Sequence, residues 1–66
     1  MNITVNGKAN QVDSGTSIVM LLSQYKINSP MTIVEVNGTV IPKDEWESHA
    51  VQENDQIEII QLMGGG

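Results

Sequence analysis

The alternation of apolar and polar side chains predicts a hairpin at the start of the chain. Ile3 and Val5 alternate with polar residues, which is the period-two pattern of a strand with one buried face. Asn6-Gly7 follows, and this dipeptide is the strongest short hairpin signal, because a type I′ turn needs positive φ at both central residues. We therefore expect a returning strand over residues 8–13, with Val12 as its surest inward residue.

The pattern then changes to the helical period. Four side chains share one helical face: Ile18, Leu21, Leu22 and Tyr25. They predict a helix over residues 17–26, with Thr16 as its N-cap and an end at residues 28–30, since proline cannot continue a helix. We expect all four side chains in the core, Tyr25 with its hydroxyl at the edge.

The middle of the chain predicts a second strand pair. Residues 31–36 form the most strand-like run, and Val34 and Val36 should face the core. Asn37-Gly38 supplies a second turn of the same type as Asn6-Gly7. A short strand over 39–41 follows. Residues 42–46 suit one helical turn, because proline fits the first position and acidic residues favour the positive end. Trp46 is expected to pack this turn onto the sheet; an exposed partner anchor is its alternative role.

The last strand is predicted over residues 57–62, after a polar turn. Ile57 and Ile59 should point inward, which places Ile60 and Leu62 on the opposite face. The order of elements is hairpin, helix, strand, short strand, helical turn, strand. If the first and last strands lie parallel in the centre, with the helix across one face, the result is an α+β fold of the β-grasp (ubiquitin-like) class with a mixed sheet of four to five strands.

Composition restricts the chemistry that these 66 residues can perform. The chain has no cysteine and one histidine, His49, so no disulfide, zinc site or thiol nucleophile is expected, and His49 is interpreted as structural or simply exposed. A net charge of −5 argues against nucleic-acid binding, which needs a basic face, and favours a partner with a positive surface. No leader-like or membrane-spanning run is visible, and we expect a cytoplasmic protein that does not bind membranes.

The ending Met63-Gly64-Gly65-Gly66 is the candidate functional element. Glycine has no Cβ, so three in a row form a thin, flexible tail that a narrow active site can admit. The α-carboxylate is the one group on Gly66 that chemistry can use. We expect a folded domain over 1–62 and a tail over 63–66, with a linker remnant or a frayed terminus as the alternative.

Several segments together resemble the ThiS family of ubiquitin-like sulfur carriers, over all 66 residues. They are the strand ending Val5-Asn6-Gly7, the Leu21-Leu22 helix, the segment Val36-Asn37-Gly38-Thr39-Val40-Ile41-Pro42, the Pro42-x-x-x-Trp46 turn and the apolar strand before the glycines. The diglycine end alone is weak; the hairpin followed by Ile-Pro and a tryptophan four residues on is specific. Asn54 stands where the family commonly has glycine, and asparagine tolerates a left-handed turn.

The resemblance implies a carrier and not an enzyme. A ThiF-like activating enzyme would use ATP, with magnesium, to adenylate the Gly66 carboxylate. A persulfide donor such as a cysteine desulfurase would supply the sulfur of a C-terminal thiocarboxylate, which a ThiG-like thiazole synthase would use to build the thiazole of thiamine. Met63, Gly64 and Gly65 would enter the partners' active sites. The carrier itself would bind no cofactor or metal and would be a monomer when free.

The open face of the sheet is the second expected functional element. Ile60 and Leu62 should lie there close to the tail, and large exposed apolar groups suggest a partner docking site. A modest apolar surface without a partner is the alternative.

Three other functions stay open. A MoaD-like carrier would serve molybdopterin or amino-acid synthesis, although those carriers often have prolines in the strand before the diglycine, where this chain has none. A ubiquitin-like modifier would be conjugated to lysines through Gly66. A binding module would have an inert tail.

Overall fold

Five strands form one mixed sheet that is crossed by a helix. The structure is a computed structural model that describes residues 1–28 and 30–62. In chain order the elements are β1 (Asn2–Val5), β2 (Lys8–Gln11), α1 (Ile18–Gln24), β3 (Thr32–Val36), β4 (Thr39–Val40), a 3-10 turn (Lys43–Glu45) and β5 (Gln56–Gln61). The sheet order is β2-β1-β5-β3-β4, with β1 parallel to β5 and the other neighbours antiparallel. This arrangement confirms the predicted β-grasp fold.

Both Asn-Gly turns have the predicted backbone. The φ angles are 52° and 82° in Asn6-Gly7 and 53° and 84° in Asn37-Gly38, positive at both central positions. The asparagine side chains also bind β5. The Asn6 Oδ1 accepts a hydrogen bond from the Ile59 backbone N at 2.8 Å, and the Asn37 Oδ1 accepts one from the Gln56 backbone N at 2.9 Å. Each hairpin turn is therefore fastened to the central strand.

One apolar core lies between α1 and the inner face of the sheet. Its buried members are Ile3, Val5, Val12, Ile18, Leu21, Leu22, Val34, Val36, Ile41, Trp46, Val51, Ile57 and Ile59. Burial of each such side chain contributes roughly 1.5–3 kcal/mol relative to exposure. The Trp46 Nε1 donates to the Ile41 carbonyl at 2.9 Å, which anchors the 3-10 turn to the sheet. Trp46 thus packs as predicted, and its burial rules out the alternative role as an exposed anchor.

Helix α1 begins one residue later than the predicted cap implies. The N-cap is Ser17, whose Oγ accepts a hydrogen bond from the Met20 backbone N at 3.2 Å, so the prediction of Thr16 was wrong. Thr16 is instead buried, and its hydroxyl donates to the Asp13 carbonyl at 2.7 Å. Two adjacent hydroxyl residues fit the sequence signal equally well, and the loop geometry selects between them.

Tyr25 is not a core residue, contrary to the prediction. The helix ends at Gln24, and Tyr25 is its C-cap, so its side chain leaves the buried stripe and is 41% exposed. The Tyr25 hydroxyl accepts a hydrogen bond from the Asn10 Nδ2 at 2.9 Å. The left-handed residue that follows the helix C-cap is Lys26, with φ of 56°.

Other element ends differ from the prediction by one or two residues, as such boundaries usually do. The strand β2 stops at Gln11, while Val12 is buried as expected. Pro42 precedes the 3-10 turn as its N-cap and does not occupy its first position. Asn54 has φ of 68°, which confirms that it takes the left-handed place of a glycine.

Candidate functional site

The last strand ends at a fixed point of the sheet. In the β3–β5 ladder Thr32 pairs with Gln61, and the Leu62 backbone N then donates to the Met31 carbonyl at 2.9 Å, one residue past the strand. Backbone pairing therefore continues to the final described residue. Met63, Gly64, Gly65 and Gly66 lie outside the described residues, so sulfur attachment at Gly66 and entry of the tail into partner sites stay predictions.

Strand alternation divides the side chains of β5 between the core and the open face. Ile57 and Ile59 are buried, whereas Ile60 is 40% and Leu62 47% exposed. This confirms the predicted orientation of both candidate docking residues. Their role in docking stays a prediction.

The apolar surface beside the tail is wider than the sequence indicated. Ile33 lies directly opposite Ile60, and Val40, which is 56% exposed, lies opposite Glu35. Directly opposed side chains share a face, so these residues extend the exposed surface towards the edge of the sheet. We call Ile33, Val40, Ile60 and Leu62 the open-face patch. The period-two pattern of β3 could have placed Ile33 outward, but only the strand register brings it beside Ile60.

Two carboxylates stand next to each other on the same face. Glu35 and Glu58 are a directly opposed pair in the β3–β5 ladder, and like charges in that position destabilise a sheet. Within residues 1–28 and 30–62, neither carboxylate has a basic group within ion-pair distance. The open face thus combines apolar surface with two uncompensated negative charges.

A third carboxylate, that of Asp55, is buried and has a structural role. Its Oδ1 accepts a hydrogen bond from the Asn37 Nδ2 at 2.9 Å, and its Oδ2 accepts one from the Gln52 backbone N at 2.7 Å. Because both oxygens are engaged in joining the turn before β5 to the second hairpin, Asp55 is not a candidate acid or base.

The remaining candidates contribute no reactive site in the described part of the chain. His49 is half-buried, and its carbonyl accepts the Ile18 backbone N–H at 3.0 Å, which is a structural contact. Among the residues that the structure places, no group of three His, Cys, Asp or Glu could hold a metal ion. In that same part of the molecule, no helix has the length and apolar character needed to cross a membrane.

Comparison with known proteins gives a consistent family signal. The sequence profile of the ThiS family matches residues 3–66. The sulfur carrier protein ThiS of Escherichia coli strain K12 is 32% identical over 66 residues, which is the whole of both chains. The crystal structure of the thiamine biosynthesis protein ThiS from Geobacter metallireducens is similar with a TM-score of 0.81, at 36% identity and with full coverage of both chains.

A longer protein also contains a similar stretch. The thiazole synthase of Paramagnetospirillum magneticum is 29% identical over all 66 residues, and the matched stretch is 20% of that protein.

Proposed function

Because this chain belongs to the ThiS family and is a sulfur carrier protein of thiamine biosynthesis, not an enzyme, we propose that the carboxylate of Gly66 is the group that carries the sulfur. The observation that carries the proposal is the extent of the family match, which runs to the final residue. Gly66 has no side chain, so the terminal carboxylate is the one place on it where sulfur can be attached.

The proposed chemistry begins with activation, because a carboxylate in water is a poor electrophile. A ThiF-like enzyme with ATP and magnesium joins the Gly66 carboxylate to AMP and releases pyrophosphate. The terminal sulfur of a persulfide, such as that of a cysteine desulfurase, then attacks the carbonyl carbon, and AMP leaves. A second thiol cleaves the resulting S–S bond and is itself oxidised to a disulfide, which leaves a thiocarboxylate on Gly66.

The carrier supplies position and access in this scheme, and the partners supply the reactive groups. Pairing of Leu62 with Met31 fixes the base of the tail, and three glycines beyond Met63 present bare backbone to a narrow channel. We propose that the reaction takes place in the cytoplasm, where ATP is available. The free carrier is proposed to be a monomer.

The sulfur acceptor follows from the family's partner. ThiS family proteins pair with thiazole synthase, and in the Paramagnetospirillum protein a stretch similar to this chain belongs to the same polypeptide as that synthase. We propose a ThiG-like thiazole synthase as the enzyme that takes the sulfur from Gly66. A carrier for molybdopterin synthesis would form the same thiocarboxylate and deliver it to a different acceptor.

The open-face patch is proposed to dock the activating enzyme. Exposed apolar residues around Ile60 supply contact area close to the tail, and Glu35 and Glu58 invite a cationic side chain from the partner. One arginine reaching both carboxylates would remove their mutual repulsion. Docking there would hold the body while the tail reaches the adenylation site.

Intact-protein mass spectrometry tests the proposal directly. The purified chain is incubated with the activating enzyme, magnesium-ATP, a persulfide donor and a reducing thiol. We expect a product heavier by one sulfur-for-oxygen exchange, mapped to the C-terminal peptide. The matched control is the same chain with an amidated C-terminus, which should stay unchanged. A single unmodified mass for the native chain would overturn the proposal, and isopeptide adducts to lysine would favour a protein modifier.

A further inference from the structure

A groove of about 640 Å³ lies on the helix side of the molecule, between the C-terminal half of α1 and the 3-10 turn. Its lining includes the apolar side chains of Val19, Leu22, Ile27 and Trp46 and the basic side chains of Lys26 and Lys43, together with polar residues such as Ser23 and Asn28. Because α1 covers the inner face of the sheet, this groove is separate from the open-face patch. Its volume falls within the range of about 300–1,000 Å³ that is typical of ligand sites.

The groove concentrates the scarce positive charge of the chain. The protein has three basic residues against eight acidic ones, and two of the three, Lys26 and Lys43, line this groove. In the described ranges, neither lysine has a carboxylate within ion-pair distance. The groove is therefore a positive spot on a protein whose net charge is −5.

The backbone of Lys26 is strained. It has φ of 56° and occupies the position after the helix C-cap, where its N–H bonds to the Ser23 carbonyl at 3.0 Å and the Ile27 N–H bonds to the Leu22 carbonyl at 2.9 Å. This is the Schellman pattern, whose left-handed residue is usually glycine because other residues pay a steric penalty there. Strained non-glycine residues cluster at functional sites.

Fold stability does not account for the two lysines together. A lysine near a helix C-terminus does complement the helix dipole, which favours the charge of Lys26 but not its strained backbone. Lys43 is the first residue of the 3-10 turn, at the end where acidic residues are preferred. The backbone of Lys26 and the helix-end position of Lys43 are thus each unfavourable for lysine, and both residues line the same groove.

We propose that this groove binds an acidic segment of a partner protein, in which an apolar side chain is flanked by carboxylates. The apolar side chain would cover Val19, which is 43% exposed, beside the largely buried Leu22 and Trp46, while the carboxylates reach the two lysines. Inorganic anions would leave this apolar wall uncovered.

The consequence is a carrier with two independent docking surfaces. One partner would occupy the groove while the activating enzyme occupies the open face, so the carrier could pass between enzymes without being released. This inference does not depend on sulfur attachment at Gly66, and a failure of either proposal would leave the other standing.

The test is an NMR titration of the full ¹⁵N-labelled chain with a synthetic peptide, acetyl-Glu-Asp-Leu-Asp-Glu-amide, at low ionic strength. We expect shifts confined to the amides of Lys26, Ile27 and Lys43 and to the Trp46 indole, which also serves as the single tryptophan fluorophore. Binding should weaken with added salt. The matched peptide with Gln and Asn in place of the acids should bind at least about threefold more weakly.

Three glutamine variants and one glycine variant localise the binding. Lys26→Gln and Lys43→Gln should each weaken it about two- to fivefold, whereas Lys8→Gln, which removes the remaining lysine outside the groove, should leave it within about twofold. Lys26→Gly should lose as much affinity as Lys26→Gln although it relaxes the backbone. Equal effects of all three Gln variants, shifts on the open face, or equal binding of the neutral peptide would overturn the proposal. Concentration-dependent shifts without peptide, or the same shifts with inorganic phosphate alone, would also overturn it by assigning the groove to a second copy or to a small anion.

Discussion

At the scale of single residues, Lys26 shows a conflict between stability and surface chemistry. Its left-handed backbone suits glycine, yet a lysine is present. We predict that Lys26→Gly raises the free energy of unfolding by about 0.5–1 kcal/mol, net of the extra entropy that glycine gives the unfolded chain. Urea denaturation followed by Trp46 fluorescence measures this. Lys8→Gly, in strand β2, should lower stability, and a lower midpoint for Lys26→Gly would contradict the assignment of strain.

Gly65 is the position that tests whether the tail must be free of side chains. We predict that Gly65→Val leaves the urea midpoint unchanged, because residue 65 comes four positions after the end of β5 at Gln61, but abolishes adenylation, because an added branched side chain collides with a channel shaped for bare backbone. The measurement is pyrophosphate release by the activating enzyme with saturating ATP. Met63→Leu, which alters the tail without adding a branch near its end, serves as the control. Normal adenylation of Gly65→Val would show that the channel is not narrow.

At the scale of elements, β5 packs the core with one face, and we propose that its other face docks a partner. We predict that Ile60→Asp weakens binding to the activating enzyme at least about tenfold while it changes the free energy of unfolding by about 1 kcal/mol or less. Isothermal titration with the enzyme and urea denaturation provide the two readouts. The matched control is Ile59→Asp, one residue away and buried, which should unfold the chain because it places a charge in the core. Large destabilisation by Ile60→Asp would place that residue in the core instead.

The opposed pair of Glu35 and Glu58 belongs to the same scale. Glu58→Lys converts a repulsive cross-strand pair into an attractive one, so we expect a gain in stability of about 0.2–1 kcal/mol together with weaker docking of the activating enzyme. Glu47→Lys makes the same change in net charge at an exposed position outside the sheet and should affect docking much less. If both variants reduce docking equally, the overall charge, and not this pair, attracts the enzyme.

The elements also show what the sequence could and could not predict. Each face of β3 and β5 was predictable, since alternation follows from strand geometry alone. The pairs Ile33–Ile60 and Glu35–Glu58 were not, because they depend on which strands become neighbours and in what register. The apolar stripe located α1 but not its end, because Tyr25 continues the helical spacing although the helix ends at Gln24.

At the scale of the whole molecule, the arrangement separates the open face of the sheet from the helix side. The parallel pair of β1 and β5 was inferred from the order of elements, and the structure confirms it. The groove could not be inferred in this way. Lys26 and Lys43 are distant in sequence and carry no shared pattern, and they meet only because Trp46 packs the 3-10 turn beside the helix. Long-range packing therefore adds surfaces that periodicity does not encode.

The two asparagine turns also set a chemical lifetime for the folded protein. In an Asn-Gly pair the glycine nitrogen can attack the asparagine amide, expel ammonia and leave a succinimide that hydrolyses to aspartate or isoaspartate. At Asn37 this ageing would replace an amide donor by a second carboxylate beside buried Asp55. We predict that molecules aged at Asn37, identified by peptide mapping after storage at mildly alkaline pH, unfold at lower urea than fresh ones. An unchanged midpoint would show that the turn tolerates the damage. If aged molecules do unfold at lower urea, the Asn37-Gly38 turn, which fastens the second hairpin to the central strand, is also where an old carrier molecule first fails.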